Sequence, residues 1–344
     1  MGASPSVIGL IEGIAESLAS LLRVFSGYIS DLTRRRKSIA IMGYSLSFFG
    51  KIFLYISRVW GDVLTSRVVD RIGKGVRTAP RDALIADSIS EKKRGRGYGF
   101  HRALDTLGAT IGILLAYYFF TSFKGDFKRV FLYSLIPAFI GVLLLFFAKE
   151  RRAVQKREGR PSLKFRGLPG RLKIFLSIVL LFALGNSSNQ FLLLRARSIG
   201  VSLSTILLFY LAYNIVYAGF SYPLGRLSDR IGRKKVLVMG YLVYGLVYLG
   251  FGMAKTQTHL WLLFSLYGLY SGFTEGVEKA FIVDLAPIHL RSTVLGLHST
   301  LVGIGLFPAS FIAGILWNIG GPSLPFFFGG GLGIIAALAL SLFI

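Results

Sequence analysis

Long apolar runs dominate the chain, and short polar segments separate them. About 20 apolar residues, in a helix that rises about 1.5 Å per residue, cross a hydrocarbon layer about 30 Å thick. The runs are continuous rather than alternating, which favours helices over the strands of a membrane barrel. The pattern predicts an all-α polytopic membrane protein with eleven helical segments, at 5–30, 38–58, 60–88, 97–121, 128–148, 172–194, 203–225, 234–254, 258–285, 292–317 and 321–344.

One long polar stretch interrupts this pattern, "KERRAVQKREGRPSLKFRGLPGR" at 149–171. Its length and charge are typical of a loop outside the membrane. We predict that it is a cytoplasmic linker between an N-terminal helical bundle at 1–148 and a C-terminal bundle at 172–344.

The net charge of +24 would indicate nucleic-acid binding in a soluble protein. In this chain the basic residues instead divide by loop, because one set of alternate loops holds 24 of them and the other set holds 7. Basic residues accumulate in cytoplasmic loops, so the richer set is predicted to be cytoplasmic. The N-terminus is then outside and the C-terminus inside. The lipid bilayer is the predicted partner, and no nucleic acid is expected.

Little in the sequence indicates catalysis. The chain has no cysteine, which excludes disulfides and thiolate metal sites. Its four histidines lack metal-ligand spacing, and "GKG" at 73–75 lacks the spacing of a phosphate-binding loop. We therefore predict no enzymatic activity, no metal and no cofactor.

The second half of the chain repeats the first. Gly27 and Asp31 recur as Gly225 and Asp229 at an offset of 198, and after a slip of one residue the offset stays at 197. The later matches are Gly43 with Gly240, Asp87 with Asp284, Arg94 with Arg291, Gly99 with Gly296 and His101 with His298. A register held over so long a stretch indicates an internal duplication. Both copies of the first motif fall on the predicted cytoplasmic side, so the repeat is parallel, with a pseudo-two-fold axis along the membrane normal.

The stretch "GRLSDRIGRKK" at 225–235 resembles the best-known signature of the major facilitator superfamily, Gly-x-x-x-Asp-Arg-x-Gly-Arg-Lys. The first copy departs from it, with Leu32 in place of the arginine and Arg34 in place of the second glycine. A third stretch, "DRIGKGVRTAPRDALIADS" at 70–88, is similar to a bacterial and archaeal branch of the superfamily.

This resemblance implies two pseudo-symmetric helical bundles in the inner or plasma membrane of a prokaryotic cell, and transport of a small solute by a monomer. It also implies that the motif aspartate steadies one conformational state through nearby helix ends and basic side chains. The residues that match as a conformational gate are Gly27, Asp31, Arg35, Gly225, Asp229, Arg230 and Arg233.

The two halves differ in the number of segments that precede the motif. Two segments, 172–194 and 203–225, come before the second copy, whereas one comes before the first. The duplication therefore predicts a further helix before 5–30, so that the bundles would have six helices each instead of five and six. Either the sequence is a shortened or misassigned form of a twelve-helix protein, or the eleven-helix form works alone or by pairing.

Several ionisable residues fall inside the predicted segments, where they are costly unless they face a cavity or a partner. Those in 60–88 form a largely basic stripe that would suit an anionic substrate, and the acidic ones elsewhere would suit proton coupling. The alternatives are salt bridges between segments and side chains that extend to the lipid headgroups. The candidates for substrate binding or coupling are Glu12, Glu16, Arg67, Asp70, Arg71, Lys74 and Glu275.

The duplication also reverses one pair of charges. Arg81 and Asp82 align with Glu278 and Lys279 at the offset of 197. Positions related by a two-fold axis can face each other across it. We predict two ion pairs between the bundles, Arg81–Glu278 and Asp82–Lys279, which would close the cytoplasmic side.

Together these patterns predict a secondary active transporter that works by alternating access. Proton-coupled export is the expected mode, because the sequence contains no nucleotide-binding domain to supply energy. The alternative, from a different class, is a membrane sensor or assembly protein that retains the fold without transporting a solute.

Overall fold

The computed structural model describes residues 19, 21–124, 126–148, 150 and 167–344. The regular structure of these residues is helical, which confirms the predicted all-α fold. Helix α1 covers residues 21–33. The other helices are α2 (Arg36–Ile56), α3 (Trp60–Ser88), α4 (Arg94–Ser122), α5 (Phe127–Phe147), α6 (Gly170–Gly185), α7 (Gln190–Ser198), α8 (Leu203–Ile231), α9 (Arg233–Met253), α10 (Gln257–Leu285), α11 (Arg291–Gly320) and α12 (Leu324–Phe343).

The helix boundaries repeat with the sequence. Helices α2, α3, α4 and α5 begin at residues 36, 60, 94 and 127, and α9, α10, α11 and α12 begin 197 residues later, at 233, 257, 291 and 324. A short 3₁₀ turn precedes α4 at Glu91–Lys93 and another precedes α11 at Ile288–Leu290, with the same offset. The two copies therefore share their turns, and their helix lengths agree to within 1 residue, as a duplication predicts.

Eight helical segments of the described residues are long and apolar enough to cross a membrane. They are Arg36–Ile56, Glu91–Ser122, Phe127–Phe147, Gly170–Ser198, Thr205–Ile231, Arg233–Met253, Ile288–Gly320 and Leu324–Phe343. Helices α3 and α10, which have more polar sequences, are not among them. The charged and hydroxyl-bearing residues of these two helices are therefore the ones that need an explanation.

The observed helices agree with the predicted segments, apart from two differences. Segment 172–194 is divided into α6 and α7, because the residues between them, Asn-Ser-Ser-Asn at 186–189, have side chains that compete for backbone hydrogen bonds. Segment 203–225 continues through the motif until Gly232 ends the helix with a φ of 97°. Most of segment 5–30, including Glu12 and Glu16, lies outside the described residues.

The helices pack into two compact units. Of the described residues, the first unit contains those within Met1–Ser88, Ile111–Gly167 and Ala286–Gly303, and the second contains those within Ile89–Thr110, Leu168–Leu285 and Ile304–Ile344. Each unit includes the beginning of one helix from the other half of the sequence, because α11 begins in the first unit and α4 begins in the second. The division into bundles at 1–148 and 172–344 stays a prediction, and residues 149 and 151–166 of the linker lie outside the described residues.

In the first unit, α2 and α3 pack backbone against backbone. A Cβ atom at Gly73 would lie 2.6 Å from the carbonyl oxygen of Gly43, so the two helices are in direct contact there. About two turns further along, the Ser66 hydroxyl donates to the Gly50 carbonyl at 2.8 Å. Small residues allow this close approach, and the side chains of Asp70 and Arg77 of α3 begin at the same crossing, beside Gly50 and Gly43.

In the second unit, aromatic rings from α6, α8, α9 and α10 form the core. The Phe182 ring stacks on Tyr241 with a centroid distance of 4.2 Å. The break between α6 and α7 is held by this core, since Tyr244 donates to the Gly185 carbonyl and Tyr267 donates to Asn189 Oδ1, both at 2.9 Å. The polar residues of the break are thus anchored by tyrosines of α9 and α10.

Candidate functional site

Asp31, near the end of α1, binds the beginning of a helix from the other half of the sequence. Its carboxylate accepts hydrogen bonds from the backbone amides of Ser292 and Thr293, at 3.3 and 2.7 Å, and from the Thr293 hydroxyl at 2.7 Å. These amides belong to the first turn of α11, which has no hydrogen-bond acceptors of its own for them. The aspartate therefore caps α11 from outside that helix, where a negative charge is favoured by the helix dipole.

A chain of ion pairs continues from this aspartate. Arg36, at the start of α2, pairs with Asp31 at 3.2 Å and also with Asp87 at the end of α3. Asp87 in turn pairs with Arg291, the first residue of α11, at 3.2 Å. We refer to Asp31, Arg36, Asp87 and Arg291 as the first charge cluster.

The second charge cluster, formed by Asp229, Arg233, Asp284 and Arg94, has the same design. Asp229 accepts hydrogen bonds from two backbone amides in the first turn of α4, those of residues 95 and 96, at 2.9 and 2.8 Å. Arg233 pairs with Asp229 at 2.8 Å and also with Asp284. Asp284 pairs with Arg94, the first residue of α4, at 2.7 Å.

The two charge clusters correspond residue by residue. Asp31 matches Asp229 at the offset of 198, and the other three members match at 197. Each cluster contains two carboxylates and two guanidinium groups, so its charges balance. Both aspartate side chains are almost inaccessible, at 0% and 3% exposed. Buried ion pairs gain little net stability, because desolvation offsets their attraction.

Glycines allow the helices to come close enough for these contacts. A Cβ atom at Gly27 would lie 2.3 Å from the Ser292 carbonyl oxygen, and one at Gly225 would lie 2.3 Å from the Gly95 carbonyl oxygen. The same holds on the partner helices, where a Cβ atom at Gly99 or at Gly296 would also lie 2.3 Å from a backbone oxygen. Each crossing therefore has glycine on both sides.

The structure places five of the seven predicted gate residues at the two charge clusters, with Gly27 and Asp31 at the first and Gly225, Asp229 and Arg233 at the second. Arg35 and Arg230 are exposed, and it is Arg36, rather than Arg35, that takes the position of Arg233. Sequence reasoning did not assign a site role to Arg36, Asp87, Arg94, Asp284 or Arg291. The duplication could have indicated these residues, because each of them aligns with a residue of the same type at the offset of 197.

The predicted basic stripe lies on α3. Arg67 is exposed, whereas Asp70, Arg71 and Lys74 are half-buried. Arg67, Arg71 and Lys74 each take part in an interaction within the protein. The α3 backbone here binds α2, since the Ser47 hydroxyl donates to the Asp70 carbonyl at 3.2 Å. Glu12 and Glu16, the other candidates from the first half, lie outside the described residues.

The residues of the two predicted ion pairs lie in separate units, and the pairs stay a prediction. In the first unit, Arg81 pairs with Asp82 at 2.9 Å and approaches the Tyr44 hydroxyl at 3.5 Å. In the second unit, the Tyr241 hydroxyl donates to Glu278 at 2.9 Å, and Lys279 is half-buried.

Glu275, the remaining candidate, lies in a charged group within the second unit. It pairs with Arg102 of α4 at 2.6 Å, and Arg102 also pairs with Asp105 at 2.9 Å. The Arg102 guanidinium lies over the Tyr217 ring, 5.2 Å from its centroid, and donates to the hydroxyl of that tyrosine. Among the described residues, no group of three or more histidines and carboxylates is placed to hold a metal ion.

Comparisons with known proteins agree with this arrangement. The family model described as Major Facilitator Superfamily matches residues 1–195 and 174–344. An uncharacterized MFS-type transporter of Methanocaldococcus jannaschii is 39% identical over 346 residues, which cover 99% of this chain and 86% of that protein. The multidrug resistance protein MdtH of Escherichia coli is 24% identical over 354 residues, 99% of this chain and 86% of that protein. The crystal structure of the human organic anion transporter MFSD10 has the same fold, with a TM-score of 0.81 at 17% identity, covering 97% of this chain and 83% of that one.

Proposed function

The chain belongs to the Major Facilitator Superfamily, a family of multi-pass membrane transporters, and we propose that it exports a small solute by alternating access in exchange for protons. The observation that carries this proposal is the pair of charge clusters. Each one joins the motif of one sequence half to the first turn of a helix from the other half, and together they hold one conformation.

A gate of this kind needs contacts that can be released. The clusters meet that need, because their attraction is largely offset by desolvation and the net free energy of closing them is small. Water that reaches the carboxylates when the helices separate would solvate the same charges again. The two arrangements can then differ by only a few kcal/mol, about the range in which a bound solute or proton can shift the balance.

Proton coupling is supported by the carboxylates within the helical segments, of which Glu275 is the best placed among the described residues. Export is supported by the relative MdtH, which is named a multidrug resistance protein. Membership of a transporter family supports the prediction that the chain is not an enzyme. We place the protein in the plasma membrane of a prokaryotic cell, as a monomer with its N-terminus outside and its C-terminus in the cytoplasm.

The charge of the solute needs a separate argument. The basic stripe of α3 is the basis for an anionic solute, and that remains a prediction from the sequence. Because Arg67, Arg71 and Lys74 already have interactions within the protein, the stripe gives weak support for a bound anion.

The proposal is tested with the purified protein in proteoliposomes that contain pyranine, a fluorescent reporter of internal pH. Tetraphenylphosphonium, benzoate and xylose are added in turn, to represent organic cations, organic anions and neutral sugars. We expect at least one of them to move protons across the membrane in exchange. If none moves protons and none is driven by an imposed pH gradient, the alternative of a sensor or assembly protein is favoured.

A further inference from the structure

Helix α8 carries three tyrosines on successive turns, Tyr210, Tyr213 and Tyr217, which we call the tyrosine wall. The Tyr213 ring centroid lies 5.7 Å from that of Tyr210 and 5.8 Å from that of Tyr217. Tyr217 is buried, whereas Tyr210 and Tyr213 are half-buried and keep part of their surface accessible. The wall is supported from behind by Tyr267 of α10, whose ring stacks on Tyr213 at 5.4 Å.

One end of the tyrosine wall already holds a cation of the protein itself. The Arg102 guanidinium lies between the Tyr217 ring and the carboxylates of Glu275 and Asp105. One positive and two negative groups leave these three side chains with a net negative charge. Both acids are accessible, at 39% exposed for Glu275 and 50% exposed for Asp105. An aromatic face beside a carboxylate is the chemistry that recognises organic cations.

This group of residues has no counterpart in the other half of the chain. At the offset of 197, Glu275 corresponds to Thr78, Arg102 corresponds to Ser299 and Asp105 corresponds to Val302. The charge clusters, in contrast, occur in both halves with all four members. The charge clusters are thus present in both halves of the chain, whereas the acidic group beside the tyrosine wall is present in one half. Its charges therefore serve something other than the shared architecture.

An exporter that exchanges its solute for protons needs a group that binds the solute and the proton in turn. A carboxylate can do this when the solute is a cation, because protonation removes the charge that attracts it. The charged and titratable groups near Glu275 include Arg102 and Asp105 from α4 and Tyr213 and Tyr217 from α8. On α10 itself they include Tyr270 five residues earlier, and Glu278 and Lys279 three and four residues later. On α9, Tyr241 is directed to Glu278 instead.

We propose that the tyrosine wall and Glu275 form a binding site for a monovalent organic cation with an apolar body. The apolar body lies on the rings of Tyr210 and Tyr213, and its positive charge replaces Arg102 beside Glu275. A proton that binds Glu275 releases the cation. This inference rests on the proposed function, since it names the solute class that such an exchange would carry.

The test measures equilibrium binding of radiolabelled tetraphenylphosphonium to the full chain in detergent, at about pH 8 and about pH 6. The wild type should bind about tenfold more tightly at the higher pH, because fewer protons compete for the carboxylate. Glu275→Gln should bind about tenfold more weakly than the wild type at the higher pH and should lose the pH dependence. Asp126→Asn, which changes an exposed acid at the start of α5, is the matched control and should bind as the wild type does.

Two further variants separate the proposal from a loss of folding. Arg102→Gln should bind about tenfold more tightly, because it removes the internal cation that competes for Glu275, and a gain cannot come from misfolding. Tyr213→Leu should weaken binding about three- to tenfold through loss of the aromatic face, whereas Tyr213→Phe should bind as the wild type does. A site that used the tyrosine hydroxyl, as for a sugar, would be weakened by both variants, because neither leucine nor phenylalanine carries a hydroxyl.

The proposal is overturned if the wild type does not bind tetraphenylphosphonium, if Glu275→Gln binds it as the wild type does, or if radiolabelled benzoate binds in its place. These binding results do not depend on whether the protein exports a solute in exchange for protons, because binding is measured without transport. Binding with the expected variant pattern but no proton exchange in proteoliposomes would leave the cation site standing and would contradict the exporter. Proton exchange by the wild type, together with a Glu275→Gln variant that binds tetraphenylphosphonium as the wild type does, would contradict the cation site. It would leave the exporter standing.

Discussion

Asp31 and Asp229 cap helices to which they do not belong. Most helices receive such a cap from a residue next to their own first turn. Here α11 and α4 follow Leu290 and Lys93, whose side chains are not capping types, and the acceptor comes instead from the motif of the other sequence half. A backbone amide left without its acceptor in a buried place costs about 1–3 kcal/mol. Loss of either motif aspartate would therefore weaken the contact between its motif and the helix that it caps.

Arg34 and Gly232 follow the two motifs at equivalent places, and both have a left-handed backbone. Their φ angles are 57° and 97°. A side chain in this region costs about 1–2 kcal/mol, and glycine avoids that cost. Replacing Arg34 by glycine should therefore raise the free energy of unfolding by about 0.5 kcal/mol, after the greater unfolded-state entropy of glycine is subtracted. Thermal unfolding in detergent measures the difference.

The reverse change gives the matched comparison. Gly232→Ala should lower the free energy of unfolding by about 1–2 kcal/mol, although no atom lies within 4 Å of the added Cβ. The loss would come from backbone strain alone. A stabilised Gly232→Ala, or an Arg34→Gly that loses stability, would contradict the assignment.

The sequence pattern singled out the motif aspartates but did not identify the arginine that pairs with the first of them. Asp229 and Arg233 are four residues apart, whereas Asp31 and Arg36 are five apart, because the repeat slips by one residue in the turn. With three arginines in succession, the spacing alone could not indicate which one the backbone turns inward. The left-handed residue Arg34 sets that direction, and it is a property of the folded turn.

At the scale of elements, the two glycine crossings decide whether α1 can approach α11 and whether α8 can approach α4. Gly27→Ala and Gly225→Ala would each place a methyl group 2.3 Å from a backbone oxygen. Because the contact is with the backbone, rotation of a side chain cannot relieve the clash. We expect each change to lower the free energy of unfolding by about 1–3 kcal/mol, as overpacking does. The thermal midpoint in detergent is again the measurement.

Gly108→Ala is the control for these two variants. Gly108 is also helical, in α4, but no atom lies within 4 Å of an added Cβ. This variant should keep or slightly raise stability, because alanine favours helices by about 1 kcal/mol over glycine. If all three variants behaved alike, the close crossings would have no special role.

Helix positions could be predicted well because apolar runs of membrane length leave the chain few alternatives. The break at 186–189 was not predicted, because polar residues such as Asn-Ser-Ser-Asn inside a segment of membrane length do not by themselves end a helix. What supports the break is the set of tyrosine hydroxyls from α9 and α10, which supply partners for the freed backbone and amide groups. Such partners come from distant sequence, and local periodicity does not contain them.

At the scale of the whole molecule, symmetry separates two kinds of chemistry. The charge clusters are present in both copies, which suits a role in holding the architecture in one state. The group around Glu275 is present in one copy, which suits a role in binding. The duplication pointed to the first kind because identical pairs stand out at a constant offset. It could not point to Arg102, whose counterpart Ser299 is neutral and whose partners become visible only in the folded unit.

The central claim, that the charge clusters hold a closed gate, is tested most directly by the reactivity of a buried thiol. The chain has no cysteine, so Ser30→Cys or Ser228→Cys introduces the single thiol of the protein. These serines adjoin the motif aspartates and are 0% and 1% exposed. The rate of reaction with a bulky maleimide in detergent then reports how often each cluster opens. We predict that adding Asp31→Asn to the first variant, or Asp229→Asn to the second, speeds labelling about tenfold or more, since about 1.4 kcal/mol of lost closure gives that factor. Asp126→Asn should leave both rates unchanged, and equal rates with and without the motif aspartates would contradict the account.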